Sequence, residues 1–290
     1  MTQSLENILA AVAQTAAVPV LWSSSAQMPA LWAQLRDGQP WLLLLDYDGT
    51  LAPFHQDRMK AVPYVGVVEQ LEALRALPCG RIVLISGRQI VELRQLMPLD
   101  PPLEIWGSHG REHLLPDGRY CLMDLSAVER SVVEGFRQIM QAHGWGDQLE
   151  IKPAAIAVHW RGLEADQQQA IRQRAEQYLA QAVASDATLA SLEMMPFECG
   201  LELRSRSRTK GQVVAELLAD EAARHAQSVV AFLGDDWTDE DGFAALSTRG
   251  LGVLVRSEPR PSLAQVYLSP PSDLLSFLSL WEQAARRGDL

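Results

Sequence analysis

Trp41-Leu42-Leu43-Leu44-Leu45-Asp46-Tyr47-Asp48-Gly49-Thr50 is the stretch on which the fold turns. Its unbroken apolar run marks a strand covered on both faces, because a half-solvated strand alternates apolar with polar residues. Carboxylates immediately beyond such a strand are costly unless something receives them. In an open parallel sheet, that is where ligands bind. Asp46 and Asp48 can face one site only if the chain turns, and Gly49 permits the turn. The plainer readings are a helix cap or a calcium loop. A calcium loop, however, lies between helices and ends in a glutamate, whereas this segment ends a buried strand.

Similar runs follow on. Arg81-Ile82-Val83-Leu84-Ile85 and Leu103-Glu104-Ile105-Trp106-Gly107 read as the next strands, and Val229–Gly234 and Leu251–Val255 as two later ones. Helical periodicity lies between them, over Val65–Leu77 and from Ser86-Gly87-Arg88 to Met97. Buried strands alternating with helices imply an α/β fold with a Rossmann-like parallel sheet flanked by helices. The middle of the chain reads differently. Leu125–His143 and Glu164–Ala184 look helical, while Glu150–Trp160 and Leu192–Leu203 look like strands or hairpins. These runs predict an inserted α+β domain over 115–207, core segments at 40–114 and 208–290, and a helical extension over 1–39.

The 290 residues carry 25 Lys plus Arg against 36 Asp plus Glu, a formal net charge of −11. Such a chain repels a phosphate backbone, which argues against a nucleic-acid partner. An anionic substrate would need a local positive site or a bound cation. The 48% hydrophobic content is ordinary for a globular protein and excludes a disordered or collagenous one. Cys79, Cys121 and Cys199 stand far apart without a CxxC pair, so neither a disulfide framework nor a zinc site is indicated. Ile8–Trp22 is fairly apolar, but Met1–Asn7 lacks the basic start of a secretory leader. Leu5, Ile8, Leu9 and Val12 instead have helical spacing. No apolar stretch approaches the roughly 20 residues of a membrane span. The expectation is a soluble, cytoplasmic protein with no membrane partner.

Gly234-Asp235-Asp236-Trp237-Thr238-Asp239-Glu240 puts a second acidic cluster at a strand end. Two such clusters side by side repel, so they either protonate or share a cation, and hard oxygen ligands favour Mg²⁺. A solvated turn capping the next helix would account for Asp239 and Glu240 but not for Asp235. Ser86-Gly87-Arg88 opens a helix, where a hydroxyl and backbone N–H groups make an anion site; Ser is also a common N-cap. Thr209-Lys210-Gly211 opens another helix, and a lysine there opposes the macrodipole and calls for an anionic partner. Arg204, Arg206 and Arg208 alternate along a strand and read mostly as a solvated face.

In this order the motifs resemble those of the haloacid dehalogenase (HAD) superfamily of phosphotransferases. More narrowly, the chain is similar to the trehalose-6-phosphate phosphatase family. Gly107-Ser108-His109-Gly110-Arg111-Glu112 is similar to that family's Gly-x-His-Gly-x-Glu segment. Glu150-Ile151-Lys152 and His159-Trp160-Arg161 are similar to its Glu-x-Lys and His-Tyr-Arg. Glu202 stands eight residues before Lys210, as the family's sugar-binding Glu does before its lysine. Three positions depart: Trp160 replaces a Tyr, Ser205 stands where Pro is frequent, and Trp237 occupies a variable position.

The resemblance implies a HAD core with an inserted cap, and hydrolysis of trehalose 6-phosphate through an aspartyl phosphate on Asp46. Asp48 would be the acid and base. Mg²⁺ would be held by Asp46, the Asp48 carbonyl and Asp235, with support from Asp236 and Asp239. Ser86, Gly87 and Lys210 would hold the phosphate. His109, Glu112, Glu150, Lys152, His159, Arg161 and Glu202 would serve the sugar, with His159 and Arg161 also open to packing or hinge roles. Functional coupling to a trehalose-6-phosphate synthase is a further implication. A phosphatase for another sugar phosphate, such as sucrose phosphate or a glycosyl-glycerate phosphate, shares every core motif. A phosphomutase would need its phosphoaspartate protected from water. A non-catalytic sugar-phosphate-binding protein would be expected to lose Asp46 or Asp48, and both are present.

Overall fold

A computed structural model of the chain describes residues 16–160, 162–197, 200–205 and 208–287. The helix expected around Leu5–Val12, with Arg161, Cys199 and Arg206, lies outside them. The chain forms two compact units, one of Met1–Cys121 with Thr209–Leu290 and one of Leu122–Arg208.

The first six strands are β1 (Val20–Leu21), β2 (Trp41–Leu45), β3 (Gly80–Ile85), β4 (Glu104–Gly107), β5 (Glu112–Leu114) and β6 (Tyr120–Leu122). Between them lie α1 (Met28–Arg36), α2 (Val67–Arg75) and α3 (Ile90–Leu96). The smaller unit holds α4 (Ala127–Ala142), β7 (Leu149–Lys152), β8 (Ala155–His159), α5 (Ala165–Ser185), β9 (Leu192–Phe197) and β10 (Gly200–Ser205). The chain then returns to the large sheet through α6 (Lys210–Arg224), β11 (Val229–Gly234), α7 (Glu240–Leu246), β12 (Leu251–Val255), β13 (Val266–Leu268) and α8 (Ser272–Arg287).

The large sheet has the order β1-β13-β12-β11-β2-β3-β4-β5-β6. It is parallel from β1 through β4 and becomes antiparallel at β5. Its central strand shows why the opening run is apolar throughout. Leu43 and Leu45 join one core cluster with Leu71, Leu93, Phe277 and Trp281, while Leu42 and Leu44 join the other with Val213, Leu217 and Phe243. All four leucines are fully buried, and each such burial stabilises by roughly 1.5–3 kcal/mol. The chain winds outward from β2 through β3 and β4 on one side, and outward from β11 through β12 and β13 on the other. The crevice at this reversal, beyond the carboxyl ends of β2 and β11, is where an open sheet of this kind receives ligands.

Two boundaries differ from the sequence reading. Residues 16–39 are not only helical. β1 adds a parallel edge strand beside β13, and Trp22 and Trp32 pack on Phe277 of α8 at ring distances of 5.9 and 5.5 Å. Burial of aromatic rings, which no motif announces, ties this segment to the core. The β5–β6 hairpin extends the large sheet, so the smaller unit starts at Leu122 and not at 115.

The smaller unit is an antiparallel sheet in the order β7-β8-β10-β9. Ile156, Val158, Leu201 and Leu203 turn one face to α4 and α5, packing with Phe136, Met140 and Ile171. Alternation sends Ala155, Ala157 and Glu202 to the other face. Trp160 is buried in this core with the Arg172 guanidinium 5.2 Å from its ring, so the departure from Tyr is a packing exchange. Ser205 Oγ donates to Glu129 at 2.7 Å, anchoring the strand exit to α4. No helix among the described residues is long and apolar enough to cross a membrane.

Candidate active site

The strand ends bring together residues far apart in sequence. β2 and β11 pair in register to Leu45 and Leu233, and the Asp46 N–H continues the ladder to the Leu233 carbonyl at 2.9 Å. Asp46 and Asp235 therefore leave adjacent strands at one level. Lys210 opens α6 behind a Thr209–Gln212 capping box, and its ammonium meets Asp46 Oδ1 and Asp239 Oδ1, each at 2.7 Å. All four side chains are buried. The lysine opposes the helix dipole, as its sequence position implied, and the two carboxylates offset that cost.

Burial pushes the Asp46 carboxyl up to about 7, against the pull of Lys210. Burial, with Asp46 and Asp239 adding repulsion, pushes Asp235 up to about 9. Burial alone would lower the Lys210 ammonium; Asp239 and Asp46 overcome it and hold lysine's value above its ordinary range.

The donor set fits a hard divalent cation. One carboxylate oxygen from each of Asp46, Asp235 and Asp239 lies within 4.8 Å of the others. Asp235 Oδ1 is buried with no hydrogen-bond partner, the kind of orphan that an ion satisfies. Gly49 keeps the space open. It has φ +78°, and a Cβ there would stand 2.2 Å from Asp235 Oδ2. Asp239 differs from its neighbours because its oxygens are committed, Oδ1 to Lys210 and Oδ2 to the Asp235 and Asp236 N–H groups at 3.0 Å. Its geometry suits support of the loop more than ligation. Asp236 itself is exposed.

The Asp48 carboxylate is gripped by the Arg88 fork, Nε to Oδ2 and Nη2 to Oδ1, both at 2.7 Å. Bidentate guanidinium–carboxylate pairs are strong and directional. Arg88 is almost wholly buried, its Nη1 has no hydrogen-bond partner, and its guanidinium lies 5.5 Å from the Tyr47 ring. In sequence, Arg88 is no more than the last residue of Ser86-Gly87-Arg88. An arginine at a helix start reads as surface, and only the fold reveals its partner.

Ser86 is buried, and its Oγ accepts the Arg88 N–H at 3.1 Å. A Cβ on Gly87 would strike the His109 ring at 2.7 Å, so glycine allows that ring to lie on the turn. Glu112 is buried in the same unit and accepts from Ile90 N–H, Ser108 Oγ and Tyr120 Oη. These contacts tie Glu112 to the turn before β5.

In the smaller unit, Glu150 and Glu202 lie on the strands either side of Ala157, both in register with it. Lys152 Nζ donates to Glu202 Oε2, and His159 Nε2 lies 2.8 Å from Glu150 Oε2. The Lys152 and Glu202 side chains are 12% and 13% exposed, so the pair is largely desolvated. The family resemblance pointed to these residues where pattern alone did not, and the sheet gathers four of them on one polar face.

The family model for trehalose-phosphatase matches residues 44–272. The chain is 28% identical to a trehalose-phosphatase of Schizosaccharomyces pombe, covering 96% of this chain and 34% of that protein. It is 29% identical to the trehalose-6-phosphate phosphatase of Escherichia coli, covering 81% of this chain and 84% of that one. It thus spans about a third of the fission-yeast relative and most of the bacterial one. Among solved structures, trehalose-6-phosphate phosphatase from Aspergillus fumigatus aligns with TM-score 0.66 at 25% identity, over 92% of this chain and all of that one. A HAD-superfamily phosphatase from Bacteroides thetaiotaomicron shares the fold, with TM-score 0.51 at 15% identity, over 84% of this chain and 96% of that one.

The acid cluster should make stability depend on pH in a metal-sensitive way. Asp46 and Asp235 hold protons above the unfolded carboxylate value of about 3.9. Their contribution is full at low pH and lost as pH rises through the folded values of about 7 and about 9. Glu104, whose value is lowered, pulls the other way, but mostly below that window and only at its acid end. With EDTA, the urea midpoint should therefore fall between about pH 5 and about pH 9. Mg²⁺ should flatten the fall, because it binds the ionised acids. An equal fall with and without Mg²⁺ would contradict a cation at these residues.

Proposed function

The chain belongs to the trehalose-phosphatase family, and from that premise we propose that it is a Mg²⁺-dependent phosphatase hydrolysing trehalose 6-phosphate through an aspartyl phosphate. The observation that carries this reading is the buried Asp46 carboxylate beside Lys210 at the reversal point of the sheet. Asp46 attacks phosphorus as the bond to the sugar oxygen breaks. Asp48 gives that oxygen its proton, then takes one from the water that attacks the aspartyl phosphate and releases Asp46. Arg88 fixes where the Asp48 carboxylate points. Lys210 and the Ser86-Gly87 turn hold the phosphoryl oxygens as charge redistributes. Mg²⁺, held by Asp46, the Asp48 carbonyl and Asp235, would supply the charge that lets an anionic nucleophile meet an anionic phosphate.

Glu150, Lys152, His159 and Glu202 are the groups we assign to the sugar hydroxyls, with His109 beside the phosphate turn. A dense set of carboxylates, an ammonium and an imidazole suits a neutral disaccharide, which offers only hydroxyls to recognise. A trehalose-6-phosphate synthase fits as the source of the substrate.

The direct test is phosphate release from a panel of sugar phosphates, with and without Mg²⁺. Trehalose 6-phosphate should be turned over best, and EDTA should abolish turnover until Mg²⁺ is restored. Asp46→Asn should remove turnover while leaving the fold, since the near-isosteric amide cannot attack phosphorus. Near wild-type release by the folded variant would show that another group is the nucleophile.

Glu150→Ala, Lys152→Ala and Glu202→Ala separate sugar reading from phosphoryl chemistry. Each should lower kcat/KM for trehalose 6-phosphate about ten- to a hundredfold, the worth of a hydrogen bond to a charged group. The losses from Lys152 and Glu202 should not add, because the two side chains are partners. A small aryl phosphate should be hydrolysed slowly and alike by all. Equal losses on both substrates would sink the sugar-reading assignment.

A further inference from the structure

Trp237, the aromatic departure within the second acidic motif, lies beneath Arg260, whose Cζ is 4.0 Å from the ring centroid. Arg260 Nη1 donates to Glu240 Oε1 and to the Pro261 carbonyl. Glu240 is fully buried, and its Oε2 accepts the Leu263 N–H at 2.8 Å. The ring sets the plane of the guanidinium and Glu240 sets its rotation. Its remaining arm, Nη2, is then 3.5 Å from the Asp235 carbonyl. From just beyond β12, Arg256 Nη1 approaches the same carbonyl at 3.3 Å.

Both contacts are long, closer to charge–dipole contacts than to tight hydrogen bonds. Two cations on one carbonyl nonetheless restrain the peptide that carries Asp235. The Nε atoms of both arginines are buried without a hydrogen-bond partner. In this buried setting a low local dielectric strengthens the pull of both guanidinium groups on the carbonyl they approach.

We propose that Trp237, Arg260 and Arg256 form a clasp on the Asp235 main chain that presets its carboxylate for the metal. They are positioning residues, acting through Asp235, and the assignment rests on the Mg²⁺ reading above. A carboxylate already aimed loses less freedom when the cation arrives, so the clasp raises affinity for the ion. Arginine is needed where lysine would fail, because one planar fork serves Glu240 and the carbonyl together.

The test is calorimetric titration of Mg²⁺ into the full chain without substrate, for wild type, Arg260→Ala, Arg260→Lys, Arg256→Ala, Trp237→Ala and Trp237→Phe. Loss of a partner that orients a metal ligand costs about 10- to 100-fold in affinity. Arg260→Ala should fall in the lower part of that range. Arg260→Lys should bind as weakly as Arg260→Ala, because one ammonium cannot span both partners. Trp237→Phe should stay near wild type and Trp237→Ala should not, since only the former keeps a ring face. The half-saturating Mg²⁺ concentration for phosphate release should rise by the same factor. Should Arg260→Ala fail to fold, Arg260→Lys and Arg256→Ala carry the measurement. Full rescue by Arg260→Lys, or equal Mg²⁺ affinity in every folded variant, would overturn the clasp. If wild type itself bound no Mg²⁺, the metal reading would fall and the clasp with it; that outcome is visible before any variant is made.

Discussion

One buried ammonium holds the site in place. Lys210 sits between Asp46 and Asp239, 2.7 Å from each, where neither acid could remain charged alone without a large desolvation cost. Removing one partner from a buried pair typically costs about 3–5 kcal/mol, because the remaining charge is stranded. From Lys210 the contacts run outward in order. Asp239 uses its second oxygen to fasten the Asp235 and Asp236 N–H groups, and Asp235 in turn leans against Gly49 of the opposite strand end. The turn after β2 and the turn after β11 are thus locked through one cation.

The apolar strand and its acids were legible because burial on both faces leaves no alternation, and an acid beyond such a strand has few harmless explanations. Asp46, Asp235 and Lys210 announce themselves by residue type and place. Arg88 does not. Its partner Asp48 lies forty residues earlier in the chain, and nothing in Ser-Gly-Arg says the guanidinium turns inward. Arg256 and Arg260 were invisible for the same reason: an arginine's side chain is long enough that spacing says little about where its fork arrives. The two-residue β1 and the β5–β6 hairpin were missed because short edge strands carry too few residues to establish a period. The hydrogen-bond partners of Glu112 were equally illegible, since only the fold brings Ile90, Ser108 and Tyr120 to its oxygens.

The smaller unit shows how an unremarkable sequence segment becomes chemical. Ala155 and Ala157 present only methyl groups on the face opposite the helices, so longer neighbours can meet across them. Lys152 reaches Glu202 over this space, and His159 finds Glu150. Charged groups on a solvated strand face would ordinarily be worth little. Here the partners are drawn together by register, and the small residues between them determine how close they come.

The pairing of β2 with β11 also has a kinetic side. Leu45 and Leu233 are neighbours in the sheet but roughly 190 residues apart in the chain. Closing so long a loop has an entropic cost that grows only slowly, as the logarithm of its length, yet contacts of such separation are slow to find. Most of the intervening chain is not slack, however. The 122–208 unit has its own sheet and core, so once folded it acts as a compact bead whose two ends are tied, and the loop that must close is effectively shorter. An insert of this kind therefore shortens the search for the strand pair that flanks the site, separately from anything its polar face does for a ligand.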